Sequence, residues 1–198
     1  MGEIYKNGIF NIAATAASDG AYGLFETRDP LPISSFKVHM TWKNHEKDYL
    51  LARSNIWDHG IVKSELNRRG WVVQERLLSP RTIHFGTQIF WECYELQACE
   101  TWPEGLPPGL SHEAERDATS GQAILGLKLQ PALIETASNT SDSRYRPWKN
   151  LVRSYMDCGL TKLEDRVVAL SGVAKEMQAL LNDEYIAGLW RKDLLTEL

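Results

Sequence analysis

Apolar positions recur at helical spacing from about residue 64 to residue 79. Leu66, Val73 and Leu77 fall on one stripe, and Trp71, Glu75 and Leu78 on another side, because residues at i, i+4 and i+7 share a face. A helix that is apolar on more than one side is predicted to lie buried between layers. Pro80 ends it, since a proline ring cannot continue the hydrogen-bond ladder. Upstream, Glu3 to Tyr5 reads as the last turn of a helix whose earlier part is absent, with Gly8 as its stop. The apolar run Ile9–Ala14 predicts a short buried strand. Phe36–Trp42 alternates apolar and polar, the period of a half-exposed strand. A charged turn over Lys43–Lys47 and a return over Tyr49–Ala52 would complete a hairpin. Thr82–Phe85 and Ile89–Cys93 read as two further strands about a Gly86-Thr87 turn.

The C-terminal third is helical in pattern. Pro147 suits the first position of a helix whose apolar face is Trp148, Leu151, Val152 and Tyr155. Thr161-Lys162-Leu163-Glu164 fits a capping box. It would open a helix striped by Leu163, Val167, Leu170, Ala174, Met177 and Leu181. A last helix is expected from about Glu184 to Leu198, with Ile186, Leu189, Trp190 and Leu194 inward.

These elements predict an α/β fold. Ile9–Ala14 and Thr82–Phe85 would pair in parallel, the 64–79 helix crossing between them, because parallel strands need a long connection. The expected organisation is an α/β unit over 1–102, a flexible insertion over 103–146 and a helical segment over 147–198. The insertion is rich in Pro, Gly, Ser, Thr and acids. Within it a short helix is expected near Ala123–Leu129, and Glu113–Asp117 reads as a solvated acidic run.

Composition narrows the function. The formal net charge of the 198 residues is -4, and no run of Lys or Arg exceeds two, which argues against nucleic acid as a partner. No apolar run is long enough for a membrane span, and no secretory signal pattern opens the chain. Met1-Gly2 is followed by Lys6 where a myristoylation motif wants Ser or Thr. Three cysteines do not make a disulfide framework, so a reducing, cytoplasmic setting is expected. Cys93 and Cys99 lack zinc-ligand spacing, and no metal is expected. Seven tryptophans point to cores and to interfaces with protein partners or with a second copy.

Glu75 is the one carboxylate placed in apolar company on the central helix. The plainer reading makes Trp71 a core residue and pairs Glu75 with a nearby arginine such as Arg81. His84 has two readings, ligand orientation or proton transfer, and a polar position on the outer side of an edge hairpin. The second is the simpler.

The block Arg69-Gly70-Trp71-Val72-Val73-Gln74-Glu75-Arg76-Leu77-Leu78-Ser79-Pro80-Arg81-Thr82-Ile83-His84-Phe85-Gly86 is followed by Phe90-Trp91-Glu92-Cys93 and Ala98-Cys99-Glu100. Together they resemble the closing block of the fungal heterokaryon-incompatibility (HET) domain. Met1–Tyr5, Ile12–Ala17 and Gly23-Leu24-Phe25 resemble its middle block. Ala169–Ala174 and Tyr185–Trp190 resemble the segment that follows it. The domain's first block has no counterpart in this chain, which fits a fragment or a reduced paralogue, inactive on its own. HET domains are distantly similar to TIR domains, with a flavodoxin-like parallel sheet. Some TIR domains cleave NAD with a Glu four residues after a Trp, the spacing of Trp71 and Glu75.

The resemblance therefore implies nonself recognition and cell death. It also implies possible NAD hydrolysis, in which Glu75 stabilises an oxocarbenium-like transition state and Trp71, Arg81 and His84 contact the ligand. NAD would be substrate, not bound cofactor. A non-catalytic, oligomerising signalling module and an inactive truncated paralogue remain open beside it.

Overall fold

The computed structural model describes residues 2–194, apart from 26, 32, 44, 52, 54, 108, 109, 111–127, 129–140 and 163. A short helix, α1 (Gly2–Lys6), leads into strand β1 (Asn11–Ala13). A hairpin follows, β2 (Phe36–Trp42) and β3 (His45–Leu51), and then the central helix α2 (Gly70–Leu78). Strands β4 (Arg81–Phe85), β5 (Ile89–Cys93) and β6 (Gln97–Cys99) complete a four-stranded sheet of order β1-β4-β5-β6. β1 pairs with β4 in parallel, Ile12 opposite Ile83, and the other two ladders are antiparallel. The fold is α/β, and the predicted crossover between parallel strands is present, with α2 on it.

Helix α2 is buried on most of its circumference, as the double apolar stripe requires: Gly70, Val72, Val73, Gln74, Arg76, Leu77 and Leu78 are all inaccessible. It starts later than the periodicity predicts. Residues 58–69 instead form a π-helical turn, Asp58–Val62, a 3-10 turn, Leu66–Arg68, and an extended Arg69. Gly159 holds Arg69 extended by accepting from the Gly70 N–H at 2.9 Å and donating to the Arg68 carbonyl at 2.7 Å. Gly70 suits this approach, since a Cβ there would lie 2.7 Å from a Leu160 methyl, which would have to shift.

The other side of α2 meets the C-terminal helices α3 (Ser141–Met156), α4 (Asp165–Val168) and α5 (Ser171–Leu181). Val73, Leu77, Trp148, Leu151, Tyr155, Met177 and Trp190 form one core with them. A second core gathers Ile56, Trp57, Ile61, Val62, Phe90 and Cys99.

Several local expectations are corrected. Pro147 lies inside α3, not at its start. The turn ahead of it is tied down by Arg144, which donates to the Leu181 carbonyl at 2.5 Å, and by Tyr145, whose hydroxyl meets Asp183 at 2.7 Å. The capping-box helix is two helices broken at Ala169-Leu170, and Val167 and Val168 are exposed. Thr161 caps nothing: α4 begins after Glu164 without a side-chain cap. The break lets the Gly172 N–H reach Gln74 Oε1 at 2.7 Å, docking the start of α5 on α2.

The expected final helix is instead a hairpin, β7 (Tyr185–Ile186) and β8 (Leu189–Trp190), and then a 3-10 turn, Arg191–Asp193. Ala187 and Gly188 both have positive φ, the conformation of a tight two-residue turn. That turn seats Trp190, fully buried, against Tyr145, Trp148 and Tyr185. Ile186, expected inward, is exposed. β3 begins at His45 within the expected charged turn. The β4–β5 loop has three residues, Gly86 to Gln88, because the Gln88 side chain turns in to accept from Thr101. The short helix expected near 123–129 lies outside the described residues except for Lys128. Among the described residues no helix is long and apolar enough to cross a membrane.

Candidate functional site

Helix α2 presents two different polar groups on two sides. On one side stand Trp71 and Glu75. Trp71 is half-buried against the helical core, and its indole N–H donates to Asp165 Oδ2 at 3.3 Å. Glu75 is partly buried, and burial raises its carboxyl above the ordinary value, opposed by a hydrogen bond from Tyr5 and by the Arg69 charge. Tyr5 comes from α1, which packs directly on α2. Arg81 is exposed and donates to the Ile9 carbonyl at 3.4 Å, so the simple pairing of Glu75 with Arg81 gives way to a Tyr5–Glu75–Arg69 group.

On the other side Arg76 points into the sheet. Thr82 and His84 of β4 and Phe90 and Glu92 of β5 are cross-strand partners, so they share one face, and all four are buried. Arg76 Nε and Nη2 fork onto the two oxygens of Glu92 at 2.9 Å each. His84 Nε2 lies 3.2 Å from Glu92, and its Nδ1 lies 3.2 Å from the Thr15 hydroxyl. The tautomer protonated on Nε2 satisfies both, donating to the carboxylate and accepting from Thr15. Lys128 donates to the Arg76 carbonyl at 2.8 Å and to Thr82 Oγ1 at 2.6 Å, 3.9 Å from Glu92. His84 is therefore a buried residue on the inner face, not the outward polar residue of an edge hairpin. Trp57 packs edge-on against both His84 and Phe90.

The electrostatics follow from this crowding. Burial alone pushes the Glu92 carboxyl up, but Arg76, His84 and Lys128 together hold it well below the usual carboxylate range. Burial lowers His84 despite Glu92, keeping it neutral. Burial likewise lowers Lys128 to about 8, with Glu92 opposing. One carboxylate thus faces two cations, and Arg76 Nη1 has no hydrogen-bond partner among the described residues. A fully enclosed group of this kind clamps α2 to the sheet, and none of its members reaches solvent.

The four residues singled out from the sequence do not converge. Trp71 and Glu75 share a helix side, Arg81 is exposed at the first position of β4, and His84 is sealed beneath the sheet. Glu92 was readable as a partner of His84, since a short hairpin register puts Thr82, His84, Phe90 and Glu92 on one face. Lys128 had no such signal, standing 46 residues from Thr82. Cys93, Cys99 and Cys158 are free thiols, and no group of three His, Cys, Asp or Glu among the described residues is placed to hold a metal.

Comparison with known families bears on the N-terminal part of the chain. Residues 1–75 match the family described as heterokaryon incompatibility protein (HET). Over that stretch the chain is similar to part of a HET domain. The matched HET stretch runs from α1 through β1 and the β2–β3 hairpin into α2 and includes Tyr5, Trp71 and Glu75. Arg76, Arg81, His84 and Glu92 lie beyond it. No curated protein and no solved structure matches the chain.

Proposed function

We propose that this HET-like chain acts in fungal nonself recognition leading to incompatibility cell death, as a cytoplasmic protein, and that Glu75 is its catalytic carboxylate for cleaving the nicotinamide–ribose bond of NAD. The observation that carries this reading is the setting of Glu75: a carboxylate on a rigid, buried helix, partly desolvated, with Tyr5 holding it and Trp71 one turn away. Cleavage of that bond builds oxocarbenium-like positive charge on the ribose, and a fixed carboxylate in a low-dielectric site stabilises it. Arg81 is the exposed ligand-contact residue of this reading, and His84, named with it from the sequence, is sealed beneath the sheet. His84 would act from behind the sheet only by orienting the groups around it.

A second reading has its own observation. The Trp71 indole is committed to Asp165 and to the helical core, which suits a non-catalytic module that signals by assembly. The same measurement separates the two. NAD consumption by the full-length protein should fall about 100-fold or more in Glu75→Gln if the carboxylate acts in the transition state. NAD loss that survives the substitution removes the catalytic reading. Cell death that persists without NAD loss favours assembly.

A further inference from the structure

We propose that the apolar face of the β2–β3 hairpin is a homodimer interface, in which two copies stack this face against one another about a two-fold axis. The register places Phe36, Val38, Met40 and Trp42 opposite Leu51, Tyr49, Lys47 and His45, so these eight residues share one face. The other face carries the ion pairs of Lys37 and His39 with Asp48, together with Thr41, Glu46 and Leu50. The ribbon is therefore amphipathic, yet its apolar side is open. Phe36, Met40, Trp42, Tyr49 and Leu51 are between 47% and 71% exposed. Only Val38 in the two strands is even partly buried. An isolated two-stranded hairpin is marginal in water and gains stability when a face is covered. Met40, Trp42, His45, Lys47 and Tyr49 line a shallow groove on it.

The occupant is a second copy for two reasons. The five side chains expose on the order of 600 Å² of apolar surface, at the upper end of the largest patch on a typical monomer and close to the roughly 800 Å² per partner of a standard interface. Val38 and the aliphatic stem of Lys47 extend it. The shape also fits. Seven-residue strands span roughly 23 Å, and the apolar residues run the whole length from Phe36–Leu51 to Trp42–His45 instead of clustering at the tip. A two-stranded face of that length matches another sheet face stacked about 10 Å away. The net charge of -4 disfavours an anionic bilayer. The proposal stands apart from the chemistry at Glu75.

Sedimentation velocity across 1–200 micromolar, at about the concentrations where such interfaces form, tests it on the whole chain. Dimer formation is expected, weakened at least ten-fold by Trp42→Glu or Met40→Glu and unchanged by Thr41→Ala on the opposite face. If a glutamate variant does not fold by circular dichroism, oxidative cross-linking replaces it. Met40→Cys should then join two copies and Thr41→Cys should not. A monomer at every concentration, a dimer indifferent to both apolar-face changes, or cross-linking that is equal for the two cysteines overturns the proposal. So does a monomer that floats with vesicles of phosphatidylcholine and phosphatidylserine, which would assign the face to lipid.

Discussion

Arg76 and Glu92 form a two-pronged ion pair with no exposure to water, joining the central helix to the middle of the sheet. Two parallel N–H···O contacts at 2.9 Å fix both distance and orientation. Removing one partner of such a pair leaves an uncompensated buried charge, which costs about 3–5 kcal/mol. Here the asymmetry is sharper on one side. Glu92→Gln strands two cations, Arg76 and Lys128, whereas Arg76→Met leaves Glu92 with Lys128 and His84. Urea denaturation should therefore show Glu92→Gln as the more destabilising change. The double substitution Arg76→Met with Glu92→Met should cost less than the sum of the two single ones. Additive effects, or a Glu92→Gln protein as stable as the wild type, would show that the pair does not clamp the fold.

The same cluster predicts how stability depends on pH. Lys128 titrates at about 8 in the folded chain, against roughly 10.4 when unfolded. Between those values the unfolded chain binds more protons, so stability should rise as pH goes from 8 towards 10. His84 is also lowered in the fold, so a second rise should run up to its unfolded value of roughly 6.5. Glu92 is depressed, so its contribution is complete above roughly pH 4.3 and is lost as pH falls below it. The raised Cys158 and Cys99 thiols act with the opposite sign in the alkaline window. Urea midpoints of wild type and Lys128→Met measured from pH 3 to 10 should therefore diverge between pH 8 and 10, the wild type gaining relative to the variant. Parallel profiles over that window would contradict the placement of Lys128.

Much of this arrangement was legible before the fold was known. The double stripe of α2 and the alternation of the Phe36–Trp42 strand follow from periodicity, and the parallel pairing of β1 with β4 from the long connection between them. What periodicity misreads is tertiary capture. Leu189 and Trp190 sit at helical spacing from Ile186 and Leu194, but the cluster of Tyr145, Trp148 and Tyr185 holds Trp190 in a strand. Thr161 and Glu164 have capping-box spacing, but the contact of Gly172 with Gln74 decides where the helix breaks. The site was legible by half. Glu75 stood out as a carboxylate in apolar company, while the enclosure of His84 depends on Lys128, a residue no local pattern connects to it.

Tyr5 opposes the effect of burial on Glu75. Its hydroxyl hydrogen bond favours the charged carboxylate and so holds the pKa down against the upward push of burial. Tyr5→Phe removes the bond and leaves the burial, so the Glu75 pKa should move further up. Carboxyl-detected NMR titration of wild type and Tyr5→Phe reads this directly. A pKa that stays put or falls would mean that Tyr5 does not hold the carboxylate in solution.

Ala187 is held at a φ of 50° immediately before Gly188 at 109°, the two central positions of the turn joining β7 and β8. A positive φ costs an alanine roughly 1 kcal/mol or more, because its Cβ crowds the backbone there. Asparagine tolerates that region, and Asn-Gly is the preferred pair for a turn with both central residues left-handed. The cost is borne because the turn delivers Trp190 to its pocket. Ala187→Asn should relieve it and stabilise the protein by about 0.5–1 kcal/mol, raising the midpoint of thermal unfolding. Gly188→Ala should lower that midpoint, although a Cβ at that position meets no atom within 4 Å, since the penalty lies in the backbone and not in space. If both substitutions leave the midpoint unchanged, the segment is not held in this turn, and the helix expected from periodicity becomes the better description of residues 184–194.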